Sequence, residues 1–474
     1  MPDDNARDPE RDEALSRSVR DGAAYSVMTG AGESYLSAYA IHLRFTEPQI
    51  ATLASIPPLI GALAQLFSTW LHRRWRIGRG RIILAGALGQ AMSWLPIMLV
   101  PLLWPNDQVA ALVLCVIAYQ VFGNIISPHW PSLMRHLVPE RERGRYFSRR
   151  TRVTTLVGFA ALIAAGGVLE VFRTHTDAMY GFLLLFALAA VARMISGYYL
   201  SRLPDRSPRG DDIKYGALPL IPVWQAGIRS TPYARFLFYY AGMCFATAVA
   251  APFFAVHMLR DLQFTYLEFM AITAASVLVQ FLTLNGWGRV SDAFGNRLIL
   301  AITGWMVPFV PLLWVFSDNF LYLLAIQALS GLAWGGFALS AGSFFYDLSG
   351  DADMAAPITT ANVTNALAAF AGAQLGAAAV LWMPDWAHSD HAWSFEYPLF
   401  GVFLLSFAAR LAVAVIFVPV LKEVRQVRRA SPRRVIFRFT RFSVFSGVGF
   451  DIASVWRPRE QRRPVKAGEE SGGD

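Results

Sequence analysis

Lysine is almost missing from this sequence. Of its 42 basic residues only Lys214, Lys422 and Lys466 are lysine, and the rest are arginine. Cysteine is as scarce. Cys115 and Cys244 lie far apart, each inside an apolar run, so neither a disulfide framework nor a cysteine metal cluster is available. Charged residues make up 16% of the chain against 55% hydrophobic. That ratio cannot clothe a soluble surface over 474 residues, which leaves a polytopic membrane protein. Also missing are a G-x-S-x-G elbow, an H-E-x-x-H pair, a P-loop G-x-x-x-x-G-K-[ST] and any cluster of cysteine with histidine. No enzyme, metal or organic cofactor is therefore expected, and the chain has no means of using ATP by itself. The first twenty residues, with Asp3, Asp4, Glu10, Arg11, Asp12 and Glu13, are too polar for a cleavable signal peptide.

What is present is a succession of apolar runs of about the ~20 residues a helix needs to cross a bilayer. Twelve spans are expected, at about 22–43, 48–71, 81–104, 108–132, 153–172, 179–200, 234–258, 265–287, 298–316, 321–345, 357–383 and 397–421. The fold class is thus an all-α membrane protein with twelve transmembrane helices in two pseudo-symmetric six-helix bundles. The long polar stretch Ser201–Thr231 separates the halves. This gives a polar segment over 1–21, a first bundle over 22–200, a linker over 201–233, a second bundle over 234–421 and a basic tail over 422–474.

Arginine sets the orientation. The odd-numbered loops carry Arg44, Arg173 and Arg260, whereas the second holds Arg73, Arg74, Arg76, Arg79 and Arg81. The fourth holds Arg135, Arg141, Arg143, Arg145, Arg149, Arg150 and Arg152. By the positive-inside rule both termini face the cytoplasm. The net charge of +9 is thus a matter of topology, and no nucleic-acid partner is expected. Abundant alanine with arginine in place of lysine fits a GC-rich bacterial genome, hence a bacterial cytoplasmic membrane.

The stretch Gly288–Arg297 reads G-R-V-S-D-A-F-G-N-R and is expected to form a very short loop between spans eight and nine. Its glycines remove side chains where backbones turn or touch, and Asp292 with Arg289 and Arg297 puts both signs of charge at the membrane surface. A shift of about 216 residues lays Arg81-Ile82-Ile83-Leu84-Ala85 on Arg297-Leu298-Ile299-Leu300-Ala301. Within one residue, the same shift lays Ala190–Arg193 on Phe407–Arg410, so the halves are an internal repeat. These features resemble the major facilitator superfamily, whose signature G-x-x-x-D-x-x-G-x-[RK] lies between its second and third spans and again between the eighth and ninth. Gly288, Asp292, Gly295 and Arg297 fill its four positions.

The resemblance implies a secondary transporter that rocks two halves around a central site for a small organic solute, with those four residues in a gating motif. The first-half copy departs from the pattern, for Leu71–Arg81 has Arg76 at the acidic position. Val138–Arg150 resembles the P-E-x-x-R-G-x-Y-x-x-R segment of many members; as residues alone it is an amphipathic interfacial helix on anionic headgroups. Of the G-P-x-x-G-G sequence of the antiporters, span five keeps Gly166-Gly167 but has Leu162-Ile163 in place of Gly-Pro, which speaks against antiport. Gly158, Gly166 and Gly167 then read as packing faces.

Glu33 is the acidic residue near the centre of a span, in a glycine-rich stretch with Gly30 and Gly32. A carboxylate at that depth is costly unless paired or protonated, so it marks a pathway, a proton relay or, more plainly, a structural hydrogen bond. The resemblance makes spans one, four, seven, ten and eleven line the cavity. The candidates for substrate binding or proton coupling are therefore Glu33, Tyr25, Thr29, Gln120, Asn124, Tyr240, Trp334, Asn362 and Asn365. Span two adds Gln65, and its Pro57-Pro58 is expected to kink or break the helix. Arg193 and Arg410 are expected to snorkel to the cytoplasmic surface. Span eleven opens at Pro357, Thr359 and Thr360, an end placed outside and so apart from Asp292, which is expected to pair with Arg289, Arg297 or the opposite half. The tail from Lys422 interleaves arginine with phenylalanine and is expected on anionic lipid. The partners expected are a small solute, protons and lipid, for a monomer. A transporter-like sensor or assembly scaffold is the other reading.

Overall fold

Apolar runs of this length can satisfy their backbone inside a bilayer only as helices or closed barrels. The computed structural model describes residues 9–75, 77–138, 142–204, 224, 231–349, 355–382 and 397–423, and contains no strand among them. Twelve crossings follow one another. The first is α1 (Pro9–Ala31) and α2 (Leu36–His42), joined by a 3-10 turn at Glu33–Tyr35. Next come α3 (Glu47–Trp75), α4 (Arg79–Leu103), α5 (Gln108–Ile126) continued by α6 (His129–Leu137), α7 (Arg143–His175) and α8 (Ala178–Ser201). The second half has α9 (Pro232–Ala248) continued by α10 (Ala251–Val256) and a π-turn at His257–Asp261, then α11 (Tyr266–Phe294). It closes with α12 (Asn296–Met306) and α13 (Phe309–Leu313), α14 (Phe320–Ser349), α15 (Ala355–Trp382) and α16 (Leu399–Phe417). Eleven crossings among the described residues are long and apolar enough by themselves. The first falls short because charged residues fill the opening turns of α1 and the helix breaks at Gly32.

Several expectations change. The polar segment before span one is helical from Pro9, and the interfacial segment before span five is the start of the 33-residue α7. Gly288–Arg297 is hardly a loop. α11 runs to Phe294, Gly295 alone turns with φ 85°, and Asn296 opens α12 while its side-chain oxygen accepts from Ser291 Oγ at 2.6 Å. Gly295 thus needs glycine's freedom. At Gly288 a Cβ would meet nothing within 4 Å, so it marks neither a turn nor a close approach. α3 stays one helix through Pro57 and Pro58. Span eleven also opens on the face opposite to the one expected. Along α11 and α14 Ser276 packs on Gly331 and Trp287 Nε1 donates to the Leu332 carbonyl at 3.0 Å, so the two helices run in the same direction. α14 therefore ends on the face where α11 ends, and α15 opens there, on the same side as Asp292 rather than across the membrane from it. The even-numbered crossings all end on that face, the tenth included.

On the arginine-poor face two related corners meet. Leu43-Arg44-Phe45-Thr46 and Leu262-Gln263-Phe264-Thr265 follow spans one and seven, and Arg44 (φ 61°) and Gln263 (φ 53°) are the non-glycine residues with positive φ among the described residues. Each corner ends in a capped helix start. Thr265 shares a capping box with Glu268, and the Thr46 N–H donates to Gln49 Oε1 at 2.9 Å. Arg260 of the second corner donates to the Phe45 carbonyl at 2.5 Å and to the Glu47 carboxylate of the first. Alongside, the Tyr266 N–H donates to Glu170 Oε2 at 3.2 Å, and Gln374 Nε2 to Ser55 Oγ at 3.1 Å. A single apolar core underlies these ties, with Tyr39, Phe45 and Ile50 of the first half packed with Phe253, Met258 and Met270 of the second. Towards the arginine-rich face the cores separate. Leu133, Met134 and Tyr146 cluster in the first half, Phe236, Tyr239 and Phe337 in the second. The halves are closed at one face and part towards the other.

Candidate functional site

The break in span one is built by close packing. A Cβ on Gly32 would come within 2.7 Å of the Ala189 side chain and 2.8 Å of Trp94, so α1 meets α4 and α8 there at a distance only glycine permits. Beyond Gly32 the helix tightens into the Glu33–Tyr35 turn, pinned on its far side by Tyr35, whose hydroxyl donates to the Leu162 carbonyl of α7 at 2.6 Å. Glu33 is thereby presented at the middle of the first half rather than wound along a regular helix.

Its partners form a continuous polar chain. Tyr119, fully buried and edge-on to Trp94 with centroids 5.0 Å apart, donates its hydroxyl to Glu33 Oε2 at 3.1 Å. Gln120, the next residue, lies within electrostatic reach of the same carboxyl group. Asn124, one turn on, donates to Gln120 Oε1 at 3.2 Å and accepts at its Oδ1 from Gln65 Nε2 at 2.8 Å. Gln65 Oε1 in turn accepts from Asn362 Nδ2 of α15 at 3.5 Å, which carries the chain across to the second half. Asn362 and Ser34 are exposed inside their spans, and Glu33, Gln65, Gln120 and Asn124 are half-buried. A carboxyl group and four amides thus line the surface where the halves part, with the buried Tyr119 phenol behind them.

Of the expected site residues, Glu33, Gln120, Asn124 and Asn362 are joined by this chain. Tyr25 lies below it, with its ring 4.9 Å from the Arg193 guanidinium. Thr29 turns back on its own helix and donates to the Ser26 carbonyl at 3.1 Å. Asn365 faces into the protein with its side-chain oxygen buried and without a protein partner. Tyr240 and Trp334 pack on Phe337 in the core of the second half, at centroid distances of 5.7 Å and 5.4 Å, and no hydrogen bond links either to Glu33. In the motif expected to gate, Arg297 Nε donates to the Leu421 carbonyl at 2.5 Å and its backbone N–H to Glu423 at 2.9 Å, which ties α12 to the end of span twelve. The Asp292 side chain, Arg76, linker residues 205–230 apart from Trp224, and the tail beyond Glu423 lie outside the described residues.

Tyr119 and Asp21 escape a reading by motif. Tyr119 is one of 16 tyrosines with nothing local to distinguish it, although its place beside Gln120 is a signal. Asp21 stands in a mixed-charge segment, yet it is 3% exposed and its Oδ1 accepts from Ser196 Oγ at 2.6 Å. Nor do the repeat-related arginines snorkel: Arg193 and Arg410 are 3% and 2% exposed, buried within their own bundles. Arg410 donates to the Val307 carbonyl at 3.2 Å, an oxygen freed from the helix ladder because Pro311 has no N–H to give it.

A sequence profile of the Major Facilitator Superfamily matches residues 23–250. No curated protein sequence matches the chain at a significant level. Among solved structures, the nucleoside transporter NupG is similar at a TM-score of 0.61 and 13% identity, over 88% of this chain and all (100%) of that one. A bacterial homologue of the iron transporter ferroportin is similar in its inward-facing state at 0.65 and 15% identity, over 87% of this chain and 99% of its own. In its outward-facing state the same homologue scores 0.57 at 14% identity, over 86% and 98%. These likenesses carry the fold across both halves. With twelve crossings in two six-helix halves, the chain has the fold of the major facilitator superfamily, and it matches that family's profile over residues 23–250 and its signature at Gly288–Arg297.

Proposed function

We propose that this protein is a proton-coupled secondary transporter that moves a small organic solute across a bacterial cytoplasmic membrane by alternating access. Both termini and the arginine-rich face are cytoplasmic in this reading, so the structure corresponds to the inward-open state. The separated cores on that face support it, as does the higher similarity to the inward-facing than to the outward-facing ferroportin homologue. The cargoes named for similar structures, a nucleoside for one and iron for another, differ from each other, and neither is assigned to this protein.

The observation that carries the proposal is Glu33. It stands at a helix break, bonded to Tyr119 and within reach of Gln120, from which amides continue to the second half. A carboxyl group so placed can cross the occluded state when protonated and release its proton to whichever face is open. No cation is paired with it among the described residues, so its partners hold it without fixing its charge.

The test has two steps. Purified protein is first screened by thermal shift against sugars, carboxylates, amino acids, peptides and siderophores, since a ligand at about 100 times its dissociation constant adds ~2.7 kcal/mol to the state it binds. Wild-type and Glu33→Gln proteins are then compared in proteoliposomes with the ligand so found. Gradient-driven accumulation should disappear in the variant. Accumulation with the wild-type pH dependence would make Glu33 structural.

A further inference from the structure

The π-turn that ends span seven has two sides. Met258 and Arg260 face the first half, Met258 in the shared core and Arg260 on the Phe45 carbonyl and the Glu47 carboxylate. His257 and Asp261 face into the second half, towards Trp314, Asp318 and Phe400. The turn is closed by the Leu262 N–H, which donates to the His257 carbonyl at 2.9 Å, and its extra residue per turn brings positions 257 and 261 onto one side. Whatever fixes His257 therefore fixes the platform from which Arg260 reaches across.

His257 is fully buried, yet both of its ring nitrogens meet acids. Nδ1 bonds Asp261 Oδ2 at 2.9 Å, and Nε2 lies 4.0 Å from Oδ1 of Asp318, in the connection between α13 and α14. The rings of Tyr397, Phe400, Phe403 and Trp314 wall the imidazole, with centroids 5.1, 5.4, 5.6 and 6.3 Å away, and keep water from it. A neutral imidazole has a single N–H. With that proton on Nδ1 for Asp261, the bare Nε2 faces a second carboxylate, and Nε2 has no hydrogen-bond partner here. Imidazolium alone donates on both sides. No arginine or lysine pairs with Asp261 or Asp318 among the described residues, so this ring is what neutralises the two acids. The titratable groups around it are Asp261 from the turn, Asp318 from the connection before α14 and Tyr397 ahead of α16. Trp314 after α13, with Phe400 and Phe403 of α16, carries no charge.

From this arrangement we propose that His257 is a proton-binding site on the arginine-poor face, distinct from Glu33, whose proton strengthens the Arg260 latch and holds that face shut. Asp318, 36% exposed, connects the ring to water. The proton comes from hydronium: an N–H bond forms at Nε2, an O–H bond of the donor breaks, and water leaves. The two acids and the ring go from two net negative charges to one. Nε2–H then bonds Asp318, which fastens one side of the turn to the second half while the other side holds the first. Without the proton Asp318 stands unanswered beside a lone pair, and the turn beneath Arg260 loosens. Histidine is the side chain whose charge ordinarily changes between pH 5 and 8, so the site answers to the pH outside this face.

Spin labels at Asn106→Cys and Leu267→Cys, both exposed, one in each half and clear of Asp318, report this face by double electron–electron resonance. The protein is full-length, purified, with Cys115 and Cys244 replaced. A Glu33→Gln background takes the titration of Glu33 out of the signal, so the outcome does not depend on the role proposed for that residue. The closed-to-open ratio should be at least about fivefold higher at pH 5 than at pH 8, the low end of ordinary coupling between two sites. His257→Asn keeps a donor for Asp261 but takes no proton, and should hold the pH 8 ratio at both. Asp318→Asn leaves the buried ring in place and should cut the response; it decides the matter where His257→Asn does not fold. Arg260→Gln should abolish the response, because the proton acts through the latch. His42 of the same face has Asp177 Oδ1 3.8 Å from its Nε2, within the first half, and His42→Gln should leave the response intact. A ratio that ignores pH or falls at pH 5 overturns the proposal. So does a response that survives His257→Asn or Arg260→Gln, or one that His42→Gln removes. A response seen only with Glu33 intact belongs to Glu33, which sinks this inference and leaves the coupling role of Glu33 standing.

Discussion

Arg260 should act as the latch of the arginine-poor face. It reaches from the second half to two acceptors of the first, the Glu47 carboxylate and the Phe45 carbonyl, and with the halves rocked open on this side neither bond can survive. The side chains of Arg260 and Glu47 are 33% and 28% exposed, so the pair is neither a free surface ion pair nor a buried one. A fully exposed pair contributes about 0.2–1 kcal/mol and a hydrogen bond to a charged group about 1.5–3, which puts the latch near 1–2 kcal/mol after solvent screening. That is a factor of about 5–30 in an equilibrium. A face closed ten to one would relax in Arg260→Gln to between roughly two to one and one to three. Spin labels at Asn106→Cys and Asn319→Cys, exposed and one in each half, read the populations by double electron–electron resonance once Cys115 and Cys244 are replaced. The long-distance population should rise in Arg260→Gln and in Glu47→Gln, and the double variant should add little to the Arg260 change. A distance distribution that does not move in Arg260→Gln would mean that the apolar core beneath holds the face shut unaided.

Gly32→Ala should lower the unfolding midpoint, costing about 1–3 kcal/mol by overpacking against Ala189 and Trp94, whereas Gly288→Ala, with open space around it, should gain about 0.5–1 kcal/mol from helix propensity. Equal effects at the two sites would refute the packing account. Arg410→Met should be neutral or raise stability by about 1–4 kcal/mol, because this guanidinium is buried against a backbone carbonyl with no carboxylate beside it. The Val307 oxygen keeps the Val310 N–H, 3.4 Å away, as a partner. A marked loss of stability in guanidinium chloride or heat would instead assign Arg410 a structural load.

Much of the fold is legible in hydropathy and arginine because both are set by the membrane, which acts on every residue of a span alike. Where boundaries moved, the helix runs on past the apolar stretch: the bilayer limits the apolar part and says nothing of where the backbone ladder stops. The opening of α1 and the arginine-rich start of α7 therefore read as polar segments although both are helical. The break at Gly32 and the one at Val307–Pro308 are invisible to hydropathy, for each depends on what packs against it. The side on which span eleven opens needed no structure, since parity of the crossings fixes it. The corner repeat, Leu43-Arg44-Phe45-Thr46 against Leu262-Gln263-Phe264-Thr265, is likewise plain in the letters once the shift is allowed to drift, here to 219 residues where other segments align at 216. The drift has a local component: Phe45 N donates back to Ala40, five residues earlier, and Phe264 N to Met258, six earlier, the extra residue lying beside the π-turn of span seven.

The site divides in the same way. Gln120 and Asn124 are one turn apart on α5, and helical spacing alone groups them; the carboxyl at Glu33 is conspicuous by its depth. What spacing cannot supply is the pairing between helices, and there chemistry in sequence misleads. Asp21 looks like one more acid in a solvated leader until Ser196, 175 residues away, is found on it; Arg193 looks like a surface cation until its helix is seen to face α1. Read separately, each has a bland explanation. Together they form one buried cluster, in which Arg193 donates to Ser196, Ser196 donates to Asp21, and Arg150 lies 3.6 Å from the same carboxylate. Three helices far apart in sequence, α1, α7 and α8, are tied by it one level nearer the arginine-rich face than Glu33, so the first half carries its buried charge and its lone carboxyl group at separate depths, and only the second of these stands without a cation beside it among the described residues.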